Sequence, residues 1–516
     1  MEHTVKQFFR DQRTRWTLLA ALITGAAAYG YGMLNNIINY DTAYNIPMVR
    51  GSLEISGRWT LSLLFKLTNA LHLGHSLPFF NILVSLLLLS LAAVLLCRIL
   101  RFNSRRSCIL TGVVVLAFPA VASMTFFSYT MIFYSLAFLL ITAACLLVEK
   151  KRKPFWYLVY SLLLALAIGV YQAFYPYAVM LAVLAVTAEC LEPESTPLDV
   201  LKKGLLYIAA ILLSYLWYRL GLKLMLAVTG NQLVEYQGIN QMGHIELRAL
   251  PDILKQMFRH YFLLSTHDYL SLSAEPISRF CLLLLFGISV GMLALGWRDR
   301  NPWKWAELAG LLLIVLPVAS NLIILMVPYG TTYTLMGMGL LSLFLLPILL
   351  WEKLRFPRLK LRRVFGTALA AVLLLSSLEY AYLSNGCYRV LQWHNIQTEN
   401  YFVTLMTRVK SMDGYDERYP VVYAGNLILD DSYHDLWADT IFHYGGLRQF
   451  DSSDPDNNGF NEFSRDRFIS SYLGYTVRPI SAEELERCAD TLREMRTYPN
   501  DDSIRITDGM VLVKFD

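Results

Sequence analysis

Stretches of about 20 residues with almost no charge recur along this chain, and each is long enough to cross the hydrocarbon core of a bilayer as a helix. They lie near 16–34, 77–99, 108–126, 130–148, 156–172, 176–191, 204–228, 278–297, 305–327, 331–350 and 364–384. Lipid offers no partner to a backbone N–H or C=O, so such runs are confined to helices that satisfy these groups internally. Composition agrees: of 516 residues, 55% are hydrophobic and 16% charged, and mean hydropathy is +0.42. Soluble domains carry about 25% charged residues. The predicted fold class is a polytopic α-helical membrane protein with about eleven transmembrane helices. The run at 176–191 is short and 331–350 contains Gly337 and Gly339, so tilt or irregularity is expected in both.

Lys and Arg in the short loops set the orientation. One alternate series carries Lys6/Arg10/Arg13/Arg15, Arg98/Arg101/Arg105/Arg106, Lys150/Lys151/Arg152/Lys153, Lys202/Lys203, Arg298/Arg300/Lys304 and the block from Lys353 to Arg363. The opposite loops FFSYT, YQAFYP and PYGTTYT contain neither residue. This asymmetry places the N-terminus in the cytoplasm, and an odd number of spans then puts the C-terminal region outside. The first run has a basic start and an AAA near its end, but its apolar stretch exceeds a usual signal h-region, so it reads as a span.

Three segments are too polar to span: 35–76, 229–277 and everything after about 385. All fall on the outer face. GRWTLSLLFKLTNALHLG in the first and LRALPDILKQMFRHYFLL in the second carry apolar residues at helical spacing, as interfacial amphipathic helices do. The domain division is therefore 1–384, a membrane domain with outer loops 35–76 and 229–277, and 385–516, a small α/β domain outside. In that tail YPVVYAG reads as a strand and SAEELERCADTLREM as a helix. SIRITDGMVLVKF reads as two strands joined through Asp508-Gly509. Seven cysteines lack CxxC spacing. An outside compartment permits a disulfide between Cys387 and Cys488, although nothing in their spacing favours one.

Candidate chemistry gathers in NNIINYDTAYNIPMVRGSLEISGRW, which follows the first span. Asp41, among aromatic and amide residues at a dehydrated boundary, has the setting of a general base or of a solvated loop carboxylate. Arg58 suits a lipid phosphate through its planar fork, while contact with headgroups in general explains it as well. Tyr171 and Gln172, in YQAFYPY, line a polar cavity or bond a neighbouring helix. His244, Glu246, Arg248, Arg259 and His260 suit a groove for a charged ligand, or the wet face of an amphipathic helix. DPDNNG, 454–459, opens like an EF-hand loop, but the bidentate Glu expected at position twelve is Arg465, so a polar turn reads better. No P-loop or HExxH element occurs, so no metal, cofactor or nucleic acid is indicated.

Taken together, NYDTAYN, the following GRW, a span ending YQAFYP and a tail with YPN…SIRITDGMVLVKF resemble the bacterial glucosyltransferase type II family, which belongs to the GT-C integral-membrane glycosyltransferases. The resemblance covers nearly the whole chain in layout through short motifs. It departs where many GT-C enzymes pair two acids in the first outer loop, since Thr42 follows Asp41 here; Glu54 is the nearest candidate for the second. The resemblance implies transfer of a sugar, glucose by family, from a polyprenyl-phosphate donor to an envelope glycan outside the bacterial cytoplasmic membrane. It implies Asp41 as base, Arg58 with Arg248 or Arg259 on the departing phosphate, and Tyr171 and Gln172 orienting sugar or acceptor. A flippase or transporter for lipid-linked sugars is the rival, but transporters gather polar groups near the midplane, whereas these spans are poor in charge. A glycan polymerase or acyltransferase acting on similar lipids is a third reading. The orientation is checked by cysteine labelling in intact cells: a site after residue 400 labels from outside and one near Arg152 does not, and the reverse pattern overturns it.

Overall fold

A computed structural model describes residues 8–39, 41–42, 53–74, 76–234, 246–263, 275–297, 301–327, 332–425, 466–475 and 481–515. The chain forms two compact units, one chiefly Met1–Asn35 with Arg50–Gly386, the other chiefly Asn36–Val49, Cys387–Phe442 and Gly446–Asp516. The outer loop read from sequence as one segment, 35–76, is thus shared between them.

The first unit is helical. Its helices are α1 (Gln12–Leu34), α2 (Trp59–Ala70), α3 (Pro78–Ile99), α4 (Arg105–Ala117), α5 (Pro119–Phe126), α6 (Met131–Lys151), α7 (Pro154–Val170) and α8 (Tyr175–Cys190). They continue with α9 (Pro197–Thr229), α10 (Leu250–Phe262), α11 (Pro276–Gly296), α12 (Pro302–Gly310), α13 (Leu316–Ser320), α14 (Leu322–Met326) and α15 (Ser342–Lys353). α16 (Leu359–Lys410) begins in this unit and ends in the second. Each predicted run overlaps helix, but the expected count of eleven spans is not reached among the described residues. Among the described residues, nine helices are long and apolar enough to cross a membrane, and the α4–α5 pair, bent by 43°, makes a tenth if taken as one span. α7 is the shorter apolar one. The chain is a polytopic membrane protein.

Proline sets several helix starts: α3, α5, α7, α9, α11 and α12 each have one in the first turn, where its missing N–H costs no bond. α1 buries Thr14, Thr17, Ala21, Gly25, Ala28 and Gly32, a stripe of small residues that lets its backbone approach α3 and α4 closely. The irregularity expected in 331–350 is present as a buried 3-10 segment, Thr334–Leu341, before α15. A second 3-10 turn, Gln172–Phe174, opens α8, and these two segments and α5 pack together. Non-helical backbone at membrane depth is tolerated where protein covers it, and all eight residues of Thr334–Leu341 are buried.

In the second unit, β1 (Val421–Ala424) runs parallel to β3 (Met510–Lys514), which pairs antiparallel with β2 (Ile504–Thr507). Asp508 and Gly509, both at positive φ (49° and 72°), make the tight turn between β2 and β3. Strand alternation gives the sheet two apolar faces. Val421, Tyr423, Val511 and Val513 pack with Phe402, Leu405, Met406 and Val409 of α16, one stripe at helical spacing. Val422, Met510 and Leu512 pack instead with Cys488 of α17 (Ala482–Glu494) and with Met495. Cys387 and Cys488 are not joined by a disulfide; the second thiol is a small apolar group of that core. The turn at 454–459 with Arg465, and His244, lie outside the described residues.

At the basic end of the first unit, charges counted only as orientation markers are engaged by carboxylates the sequence did not single out. Arg101 binds Glu189 at 2.6 Å and Glu192 at 3.1 Å, Lys203 binds Glu149 at 2.8 Å, and Lys353 binds Glu192 at 2.6 Å. Glu352 accepts from the Asn103 and Ser104 backbone N–H groups and from Ser107. These bonds tie the ends of α3, α6, α8, α9 and α15. Glu189→Ala leaves Arg101 and Lys203 undercompensated. It should cost about 1–3 kcal/mol, less than a fully buried pair because Arg101 keeps some water, read as a lower melting temperature in detergent.

Candidate functional site

The stretch Leu53–Trp59 is locally specified. Leu53–Ser56 is one 3-10 turn, Gly57 at φ 75° reverses the chain, and α2 starts at Trp59 with Arg58 as its N-cap. α2 has twelve residues, too few to span, and buries Leu61, Ser62 and Phe65. Glu54 is fully buried and accepts from Ser62 Oγ at 2.6 Å and from Asn231 Nδ2 at 3.0 Å. Burial pushes its pKa up, but the bonds from Ser62, its own backbone and Asn231, with Lys66 nearby, hold it below the usual value. A carboxylate so stabilised is a weak base and a firm anchor.

Two side chains fasten this turn to the bundle. Gln172 Nε2 donates to the Ser56 carbonyl at 3.0 Å and to Tyr218 Oη at 3.1 Å, and Tyr218 Oη donates to the Gly57 carbonyl at 3.1 Å. The Val234 N–H donates to the Ile55 carbonyl at 3.0 Å. The Trp59 indole fits where α7 and α9 present glycines: a Cβ on Gly169 would meet it at 2.8 Å and one on Gly221 at 2.6 Å. The costly amide of Gln172 therefore has backbone and phenol partners.

Arg58 is fixed by this scaffold. Its guanidinium lies 4.9 Å from the Tyr171 ring centre, and Tyr171 stacks on Tyr134 at 5.0 Å. An aromatic face holds the cation by its quadrupole, and a guanidinium is a planar fork of donors of the kind that matches phosphate oxygens. The N-terminus of α2 adds positive potential at the same place. Among the described residues, no three His, Cys, Asp or Glu side chains converge as a metal site requires.

Of the residues predicted from sequence, Glu54, Arg58, Tyr171 and Gln172 come together in the first unit. Asp41 belongs to the second. There Ile38 enters the sheet's apolar core, and Asn39 Oδ1 accepts from the Thr42 N–H at 2.9 Å and from Thr42 Oγ1 at 2.7 Å, holding Asp41 in a short helical turn. Arg248 and Arg259 are exposed, Arg259 on α10 away from its buried Ile253 and Met257. Neither bonds to the Leu53–Trp59 turn among the described residues. Sequence reasoning missed Ser62, Tyr218, Asn231, Gly169 and Gly221, which lie on apolar helices or in polar loops with no motif around them.

Tyr218→Phe leaves the Gly57 carbonyl and one Gln172 N–H without their partner. It should destabilise the turn by about 1–2 kcal/mol, and trypsin should cut after Arg58 faster while overall melting changes little.

The family described as Glucosyl transferase GtrII matches the chain over residues 30–346, more than half its length. No curated protein and no solved structure matches it.

Proposed function

This chain belongs to the GtrII glucosyl transferase family, and we propose that it transfers glucose from a polyprenyl-phosphate donor to an envelope glycan on the outer face of the bacterial cytoplasmic membrane. The observation that supports a lipid-phosphate donor is Arg58, stacked on Tyr171 and seated at the N-terminus of α2. In this reading the N-terminus is cytoplasmic and the C-terminal unit is outside, where it helps bind the glycan.

The reaction is one displacement with inversion, of the GT-C type. The acceptor hydroxyl oxygen attacks the anomeric carbon of glucose as the bond from that carbon to the phosphate oxygen breaks. The hydroxyl proton passes to the Asp41 carboxylate, and the lipid phosphate leaves with its charge held by Arg58, with Arg248 and Arg259 as further cations for donor or acceptor. Glu54 serves as the anchor of the Arg58 turn, because its two oxygens already accept from Ser62 and Asn231. Tyr171 orients Arg58, and Gln172 holds the turn. No metal or nucleotide enters this scheme. A flippase is the less supported alternative, since no charged group of the Leu53–Trp59 region is drawn to the middle of a span.

Transfer is measured with purified protein and a labelled lipid-linked glucose donor. Asp41→Asn removes basicity and should lower kcat by about 10²–10⁴-fold with donor binding unchanged. Arg58→Lys keeps the charge but loses the fork, and should raise KM for the donor first. Glu54→Gln should loosen the turn and reduce both. Near-normal turnover in Asp41→Asn rejects the base assignment, and a folded Glu54→Gln that alone is dead moves that role to Glu54.

A further inference from the structure

At the basic end of the first unit, a cavity of about 930 Å³ opens between the start of α1 and the ends of α3 and α6. Five cationic side chains line it, Arg10, Arg13, Arg98, Arg101 and Lys150, against two carboxylates, Asp11 and Glu149. The neighbouring cavity of about 810 Å³ is balanced, with Arg101, Arg152, Lys202, Lys203 and Arg355 facing five carboxylates. The contrast matters because general enrichment of Lys and Arg at one membrane face would charge both alike.

The two carboxylates of the cationic cavity are already engaged. Asp11 caps α1 through the Arg13 N–H at 3.0 Å and takes the Arg13 guanidinium at 2.9 Å. Glu149 takes Lys203 at 2.8 Å and the Tyr207 hydroxyl at 2.8 Å. Arg98 is held in place by the Phe8 ring, 4.0 Å from its guanidinium carbon, and by Thr14 Oγ1 at 3.1 Å, with Asp11 at 3.8 Å. Arg10 and Lys150 bond to nothing among the described residues. Asn103 lines it too, its Oδ1 taken by Arg13 at 2.8 Å, and Phe8, Leu95 and Leu146 supply an apolar stretch of wall, the two leucines about one turn deeper than Arg98 and Lys150.

We propose that this cavity binds the headgroup of an anionic phospholipid from the leaflet at that end of the bundle, its phosphate on Arg10, Arg98 and Lys150 and the first carbons of its acyl chains along Leu95 and Leu146. Basic pockets between transmembrane helices are the setting for such headgroups, and a free anion would leave the apolar wall unused. The site is separate from the Arg58 turn and independent of the transfer reaction.

The test is a thermal-shift titration of the purified full-length protein in neutral detergent with phosphatidylglycerol, phosphatidylcholine and inorganic phosphate. Phosphatidylglycerol should raise the melting temperature saturably and the other two should not. Arg10→Gln/Lys150→Gln should melt as the unsubstituted protein does without lipid, and bind phosphatidylglycerol about 10- to 30-fold more weakly. Lys202→Gln/Arg355→Gln removes the same charge from the balanced cavity and should leave the affinity unchanged. Equal stabilisation by phosphatidylcholine, an equal effect of phosphate alone, or equal weakening in both double variants would overturn the proposal. Should the first pair prove unstable, Lys150→Gln alone is read the same way.

Discussion

A peptide group in hydrocarbon has no water to bond, and this one fact orders the molecule. It turns each long apolar run into a helix, and it confines irregular backbone to places that protein covers. The 3-10 turn Gln172–Phe174 and the segment Thr334–Leu341 are both buried and pack together with α5. The break before α8 also has a use. It brings Tyr171 and Gln172, adjacent in sequence, to bear on one turn, Tyr171 under the Arg58 guanidinium and Gln172 on the Ser56 carbonyl.

The same economy of polar groups explains how a short exposed stretch becomes a rigid one. Leu53–Trp59 has no sheet or long helix to steady it. Its carbonyls are taken instead by Gln172, Tyr218 and Val234, its one carboxylate by Ser62 and Asn231, and its indole by the space beside Gly169 and Gly221. Each bond is worth about 1 kcal/mol net, so no single one fixes Arg58. Their convergence on seven residues does, which is the preorganisation an electrostatic site needs.

What was legible in the sequence follows the range of the interactions involved. Apolar length and loop charge are local, so the helices, the amphipathic α2 and α10, and the Asp508-Gly509 hairpin could all be read from short windows. Glu54, Arg58, Tyr171 and Gln172 could be named but not given partners, because Gln172 meets Ser56 across 116 positions and Asn231 meets Glu54 across 177. Tyr218 and Gly221 were invisible, since a tyrosine or glycine on an apolar helix has the same signature whether it faces lipid, core or a working turn. The sharing of the first outer loop was hidden for a similar reason. Ile38 looks like any apolar residue beyond a span, yet it enters the core built by α16 and β3, residues more than 360 positions away.

Burial bears differently on the two acids of that loop. Glu54 is withdrawn from water with two side-chain donors on its oxygens, and its lowered pKa means the charged form is already well satisfied. Taking up a proton would weaken those bonds, so the group resists the change a general base must undergo. Asp41 is only half-buried, on a turn whose Asn39 cap is independent of its own carboxylate. Of the two, Glu54 is the acid whose charge is committed to holding the Arg58 turn.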